Sequence, residues 1–296
     1  MTEPRHSEPL PLGEEDGLPY SKGLMARALI AAGCTAERAY ELARRIELDL
    51  AERDVRVADL DRAQELAVEV LGREEGERAV RRLRRYRELQ LLDLPIILLV
   101  GGATGTGKSK VATEAAHRLG ITRVTSTDFV RQTMRAFFSE EVMPALHYSS
   151  FEAAPAAPDA ENPTVAGFLD QTRDVLVGVQ AAIDRALHEG WSMVLEGVHL
   201  VPGMVPTAIE GALVVHCLLA VENEELHATH FWIRDAASGG MRPVDKYVSQ
   251  LDEIRQVQDY LVERARRLGV PVVENRDMDD CVGTVMELVL ASAEAL

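Results

Sequence analysis

The chain has 296 residues, 47% of them hydrophobic, and a formal net charge of −16. That length holds one full α/β domain and a smaller accessory domain. The acidity opposes nonspecific nucleic-acid binding, no apolar run reaches membrane-spanning length, and the start has no signal-peptide core. No nucleic acid and no membrane are therefore expected as partners, and the cytoplasm is the default location.

Residues 1–17 read as a flexible leader, and residues 18–90 as a small, mainly helical domain. Ser21 is placed to cap a first helix through Ala31, with Gly33 ending it, and Thr35 to cap a second over residues 36–48. A third helix is expected over residues 57–71, ending at Gly72, and a fourth over 74–91. Arg81, Arg82, Arg84, Arg85 and Arg87 cover the last, as a solvated face pairing with glutamates or as a phosphate-contacting face. The stretch SKGLMARALIAAG (residues 21–33) with residues 36–47 resembles the ATP-cone, a nucleotide-binding regulatory domain. Docking, including a homodimer through this domain, is the other role open to it. Cys34, Cys217 and Cys281 are too few and too scattered for a disulfide scaffold or a zinc site.

From residue 91 to 296 strands and helices alternate. Strands are expected at residues 96–100, 121–125, 192–195, 213–219 and 270–273, separated by segments long enough for the crossovers that parallel pairing needs. The fold class is α/β, a P-loop nucleoside triphosphate hydrolase/kinase fold with a five-stranded parallel sheet, preceded by the small helical domain. After the first strand comes Gly102-Ala103-Thr104-Gly105-Thr106-Gly107-Lys108-Ser109, the pattern G-x-x-x-x-G-K-[ST] in its strand–turn–helix setting. Its amides and the following helix N-terminus can cradle the phosphates of ATP, Lys108 adds a point charge, and the Ser109 hydroxyl is placed to ligate Mg²⁺.

Four further groups carry chemistry. Asp128 follows the second strand, where it can accept the proton of an attacking hydroxyl or hold a water on Mg²⁺; as the alternative it caps the helix over residues 129–138. Arg131 and Arg135 share a helix face and can grip a phosphate or carboxylate, or pair with Glu140 and Glu141. Glu196 ends the third strand, where a carboxylate can order the Mg²⁺ shell through water. His199, just beyond, either donates to a substrate oxygen or is bonded inside its loop. Residues 153–163 hold three prolines and read as a surface loop, a candidate flap. Arg234 and Arg242 bracket a glycine-containing segment that reads as a phosphoryl-transfer lid, or as a plain interhelical turn.

Together, GGATGTGKS (residues 101–109), TSTDFVRQTMR (125–135), LHYSSFEA (146–153), LEGVHLVPG (195–203) and the series His230, Arg234, Arg242, Lys246, Tyr247 resemble the 2-phosphoglycerate kinase family. The resemblance implies ATP-dependent conversion of 2-phosphoglycerate to 2,3-bisphosphoglycerate. It places His147, Tyr148, Ser149 and Ser150 on the substrate side. The expected partner is a small phosphorylated hydroxy acid, with Asp128 acting on its hydroxyl, Arg131 and Arg135 on its anionic groups, and Arg234 and Arg242 on the phosphoryl group in flight. Because residues 91–296 carry 29 acidic and 16 basic side chains, such a substrate needs arginines gathered in a cleft. A kinase of another polyol or inositol phosphate, and a nucleotide-gated regulatory protein, are the competing readings.

Overall fold

The computed structural model describes residues 20–238 and 244–296, and for residues 234–238 the backbone alone. The chain divides into two compact units, one reaching to Asp93 and including Met286–Leu296, the other Leu94–Val285.

The first unit contains α1 (Lys22–Ala31), α2 (Ala36–Glu52), α3 (Leu60–Leu71) and α4 (Arg73–Leu91). The Ser21 hydroxyl caps α1 by accepting from the Leu24 amide at 3.4 Å. Thr35 holds the same position before α2 but makes no side-chain bond there. α3 begins three residues later than the apolar pattern suggests, because Asp59 is extended and accepts from the Asp61 amide. Leu42, Ile46, Leu66 and Leu83 are buried between these helices. On α4, Arg81 pairs with Glu77, Arg84 with Asp61, and Arg82 and Arg85 both with Glu287 of the C-terminal helix. This is the ion-paired face, with one partner about 200 residues away in sequence.

In the second unit β1 (Ile96–Gly102), β2 (Val124–Ser126), β3 (Met193–Gly197), β4 (Leu213–Ala220) and β5 (Val272–Glu274) form one parallel sheet in the order β2-β3-β1-β4-β5. Central β1 is buried on both faces, as a sheet covered by crossover helices requires. The helices are α5 (Lys108–Leu119), α6 (Thr127–Phe137), α7 (Pro163–His188), α8 (Glu224–Ser238), α9 (Val244–Val248), α10 (Leu251–Leu268) and α11 (Met278–Glu294), the last of which belongs to the first unit from Met286 onward. Alternate strand residues Ile97, Leu99 and Leu195 pack against Val175, Val179 and Ile183 of α7. Leu218 packs against Val257 and Leu261 of α10. None of the described helices is long and apolar enough to cross a membrane.

Two strands start later than expected for one reason. Gly120 and Gly269 close α5 and α10 in the left-handed conformation, and the next residue's amide reaches back into the helix. Ile121 donates to Ala116 O at 2.8 Å and Val270 to Ala265 O at 2.9 Å. These apolar residues therefore seal helix ends, and pairing begins beyond them.

The expected surface loop is present, with Pro155, Pro158, Asp159, Glu161 and Asn162 exposed, and it is fastened at both ends. Ala153 is fully buried, residues Ala154–Ala156 form a 3₁₀ turn, and Pro163 is the first residue of α7, capped by Asn162. A Cβ on Gly167 of α7 would lie 1.9 Å from the Ala153 carbonyl oxygen. Gly167→Ala should therefore cost about 1–3 kcal/mol, the usual price of overpacking a tight contact, read as a lower urea midpoint. An unchanged midpoint would mean the turn yields without cost.

Candidate active site

All five strands deliver their C-terminal ends to one edge of the sheet, where ligands of open parallel sheets bind. β1 leads there into the glycine-rich loop and α5. Gly105 and Gly107 have φ of +88° and +82°, and side chains are excluded from both. A Cβ would fall 2.5 Å from the Phe231 ring at the first and 2.3 Å from the Asn275 amide nitrogen at the second.

Three of the loop's carbonyls are held from outside it, and a fourth by the loop's own side chains. Ala103 O accepts from the Thr106 hydroxyl at 2.9 Å and from Lys108 Nζ at 3.2 Å. Thr104 O accepts from His227 Nε2 at 2.8 Å, Gly105 O from His230 Nδ1 at 2.9 Å, and Thr106 O from Asn275 Nδ2 at 2.9 Å. A trans peptide points its N–H opposite its C=O. Tying the Thr104 and Thr106 oxygens outward therefore turns the Gly105 and Gly107 amides inward. The first-turn amides of α5 join them in an anion-binding cradle. His227 and Asn275 escape the sequence reading, and His230 enters it only within a motif, because nothing in a helix after β4 or a strand-end asparagine marks a residue that holds a distant loop.

Glu196 lies in register with Val100 of β1 and Ser126 of β2. It is buried, and its Oε2 has no hydrogen-bond partner. A buried carboxylate oxygen in that state calls for a cation or water. It fits the outer shell of a Mg²⁺ held by the Ser109 hydroxyl and nucleotide phosphates. No cluster of three or more His, Cys, Asp or Glu that could hold a metal occurs among the described residues.

On the acceptor side the structure changes several sequence assignments. The cap of α6 is Ser126, which accepts from the Asp128 amide, so Asp128 is not the cap. Asp128 lies in the first turn with its side chain 64% exposed, and its Oδ1 accepts from Arg131 Nε at 2.9 Å and Nη2 at 2.8 Å. Arg131 does not project outward. It is buried and also donates through Nη1 to the carbonyls of Leu146 and Tyr148 at 2.7 and 2.8 Å. Arg135 bonds Gln132 Oε1 at 3.2 Å, not Glu140 or Glu141.

His199 is also turned inward. Its Nε2 lies 2.9 Å from Gln171 Oε1 and its Nδ1 2.8 Å from the Thr127 hydroxyl. Since the amide oxygen can only accept, the ring proton sits on Nε2 and Nδ1 accepts from Thr127. Neither nitrogen is left to donate to a substrate, which corrects that expectation. Gln171 passes the chain on, its Nε2 donating to the carbonyls of Ala145 and Tyr148 at 2.6 and 3.0 Å. Gly197 leaves room for this network: a Cβ there would fall 1.8 Å from Thr127 Oγ1.

This network shapes a cleft of about 790 Å³ lined by Arg131, Arg135, His147, Tyr148, Ser149 and Lys246, among others. No residue of the phosphate loop lines it, so the cleft is separate from the loop. His147 donates from Nε2 to Phe138 O at 3.0 Å. Ser150 is buried and absent from the lining, against its expected substrate role. Phe151 packs with Ala103 of the loop, Phe231 of α8 and Val244 and Ile254, a shared apolar floor beneath both sides. The Arg234 side chain and all of Arg242 lie outside the described residues, and the lid expectation with them.

Over 278 residues the chain is 36% identical to the 2-phosphoglycerate kinase of Pyrococcus horikoshii, covering 93% of this chain and 91% of that one. It is 37% identical over 281 residues to the 2-phosphoglycerate kinase of Methanocaldococcus jannaschii, covering 93% and 90%. A solved shikimate kinase from Acinetobacter baumannii in complex with shikimate aligns at 17% identity and a TM-score of 0.38, over 69% of this chain and 97% of that one. No family model matches the chain.

Burial holds three histidines neutral: His199 is pushed down to about 3, and His216 and His227 to about 4. Unfolded, each titrates near ~6.5, so below that pH the unfolded chain binds more protons than the folded one. Stability from these residues is complete above about pH 6.5 and is lost as pH falls toward ~4, by up to about 1.4 kcal/mol per pH unit for each ring. Urea unfolding should show that decline. Stability unchanged between about pH 7.5 and ~5 would mean the rings are charged in the fold.

Proposed function

The chain belongs to the 2-phosphoglycerate kinase family, and from that premise we propose how its own residues carry out ATP-dependent phosphorylation of 2-phosphoglycerate to 2,3-bisphosphoglycerate. The carrying observation is the phosphate loop with its carbonyls tied outward, next to an acceptor cleft walled by Arg131 and Arg135. The loop amides of residues 102–109 and Lys108 hold the ATP phosphates. Ser109 directly, and Glu196 through water, would hold Mg²⁺, which when bound would neutralise phosphate charge.

Asp128 orients the acceptor's C3 hydroxyl and takes its proton. Both bonds from Arg131 fall on Oδ1, so we assign Oδ2 to the hydroxyl. Arg131 is a positioning residue, since it spends its donors on Asp128 and the 146–148 backbone. Arg135 grips an anionic group of the acceptor, while His147, Tyr148 and Ser149 wall its site. Arg234 and Arg242 are assigned to the transferring phosphoryl group on sequence alone. Residues 18–90 are assigned to regulation or to a homodimer; exposed Tyr40 and Leu48 on α2 support the latter, and sedimentation of the full chain tests it. Three buried free cysteines accord with a reducing cytoplasm.

An acceptor screen by ADP release, with the product's phosphate position assigned, tests the reaction. Release with 2-phosphoglycerate and a 2,3-bisphosphate product is expected. Preference for an inositol phosphate, or slow hydrolysis indifferent to acceptor, would replace this reading. Lys108→Ala should lower kcat by about 10²–10³-fold, the scale of losing one electrostatic stabiliser. Asp128→Asn should lower kcat by about 10²–10⁴-fold, as for loss of a general base, and should lower Tm as well, because buried Arg131 loses its carboxylate partner. Wild-type kcat in that variant would remove Asp128 from the chemistry.

A further inference from the structure

The acceptor cleft is short of uncommitted positive charge. A phosphate monoester and a carboxylate together carry about −2.5 to −3 at neutral pH. Among the described residues, three arginine or lysine side chains line the cleft: Arg131, Arg135 and Lys246. Arg131 is neutralised by Asp128 and fully engaged with backbone carbonyls. Arg135 meets the neutral amide of Gln132. Lys246 is paired with Glu152, also a lining residue, at 3.1 Å.

That last pair is built to be exchanged. Its side chains are 48% and 34% exposed, and ion pairs so open to water hold weakly. Glu152 has other support. Burial alone would raise its pKa, but the Ser149 hydroxyl and Lys246 outweigh it and hold the carboxyl below its ordinary range. When Lys246 turns to another anion, Glu152 keeps Ser149. Lys246 itself is well anchored. It sits on α9 next to Tyr247, whose ring lies 5.2 Å from Phe231 and 5.9 Å from Phe151. Phe231 in turn abuts Gly105 of the phosphate loop. The ammonium is thus carried on an aromatic stack that reaches the nucleotide side.

We propose that Lys246 is a specificity-determining residue for the acceptor, binding one of its two anionic groups while Arg135 binds the other. Glu152 is the built-in counterion that occupies Lys246 until the acceptor displaces it. The cleft thereby selects a small acid carrying two anionic groups over a neutral polyol, which cannot compete with Glu152 for the ammonium. This rests on reading the cleft as the acceptor site.

The test is steady-state kinetics of the full-length enzyme with 2-phosphoglycerate and MgATP. Lys246→Met should raise KM for 2-phosphoglycerate at least ~10-fold, equivalent to about 1.4 kcal/mol, and leave KM for ATP unchanged. Lys246→Arg should bring it back to within about 3-fold of wild type, because the charge is retained. Glu152→Gln should move KM the opposite way, down about 3-fold or more, since the competing charge is gone and the contact with Ser149 is kept. Wild-type KM should also rise with ionic strength, and less steeply in Lys246→Met. Equal rises in both KM values, or no rise, in Lys246→Met would overturn the role of Lys246. A raised KM in Glu152→Gln would overturn that of Glu152. Absence of 2-phosphoglycerate turnover in the wild type is a separate result, which would remove the acceptor assignment and this inference with it.

Discussion

Four peptide oxygens decide what the loop after β1 can do. Those of Ala103, Thr104, Gly105 and Thr106 are each held by a side-chain donor, three of the donors coming from the far side of the sheet in sequence. At Thr104 and Thr106, planar trans peptides convert that outward fastening into inward-facing amides of Gly105 and Gly107. Glycine is required where the loop meets its fasteners, because the Phe231 ring and the Asn275 amide occupy the space a side chain would need. His227 and Phe231 stand four apart on α8 and stack at 5.5 Å, so one helix face supplies both a donor and a wall. Since His227 donates through Nε2, the bond to Thr104 does not need a charged ring.

The acceptor side repeats the device with different donors. The carbonyls of Ala145, Leu146 and Tyr148 are gathered by Gln171 and Arg131, and Tyr148 O receives both. Gln171 connects through His199 to Thr127, and Arg131 connects to Asp128, so the two ends of this network return to adjacent residues of α6. Its buried part, from Thr127 through His199 and Gln171 to the Tyr148 carbonyl, is hydrogen-bonded throughout, and such a network is rigid. It fixes the wall of the acceptor cleft relative to the carboxylate assigned to the chemistry.

An acidic protein handling two anionic ligands poses an electrostatic problem that local geometry answers. Charges beyond about 8 Å are screened at physiological ionic strength, so the surplus of carboxylates counts for less than the groups in contact. On the nucleotide side those groups are backbone amides and one lysine, which bring little net charge. On the acceptor side they are arginine and lysine, two of them already balanced by carboxylates.

The alternation of strands and helices, the parallel sheet and the phosphate loop were legible from residue order, because strand, glycine turn and helix act within about ten residues of one another. Ser21 as a cap, and the loop position of Lys108 and Ser109, follow from the same short range. The place of Glu196 at a strand end, and of Asp128 just beyond one, follows from the sheet itself. Tertiary structure alone decided what Arg131 and His199 do, since outward and inward orientations share one sequence pattern. Burial beside Tyr148 O and Gln171 drew both inward, where unpaired polar groups are costly. The late starts of β2 and β5 were likewise invisible, because an apolar residue after glycine serves a helix cap or a strand equally well. His227, His230, Gln171 and Asn275 gained their roles only when the fold brought them against carbonyls up to 169 residues away.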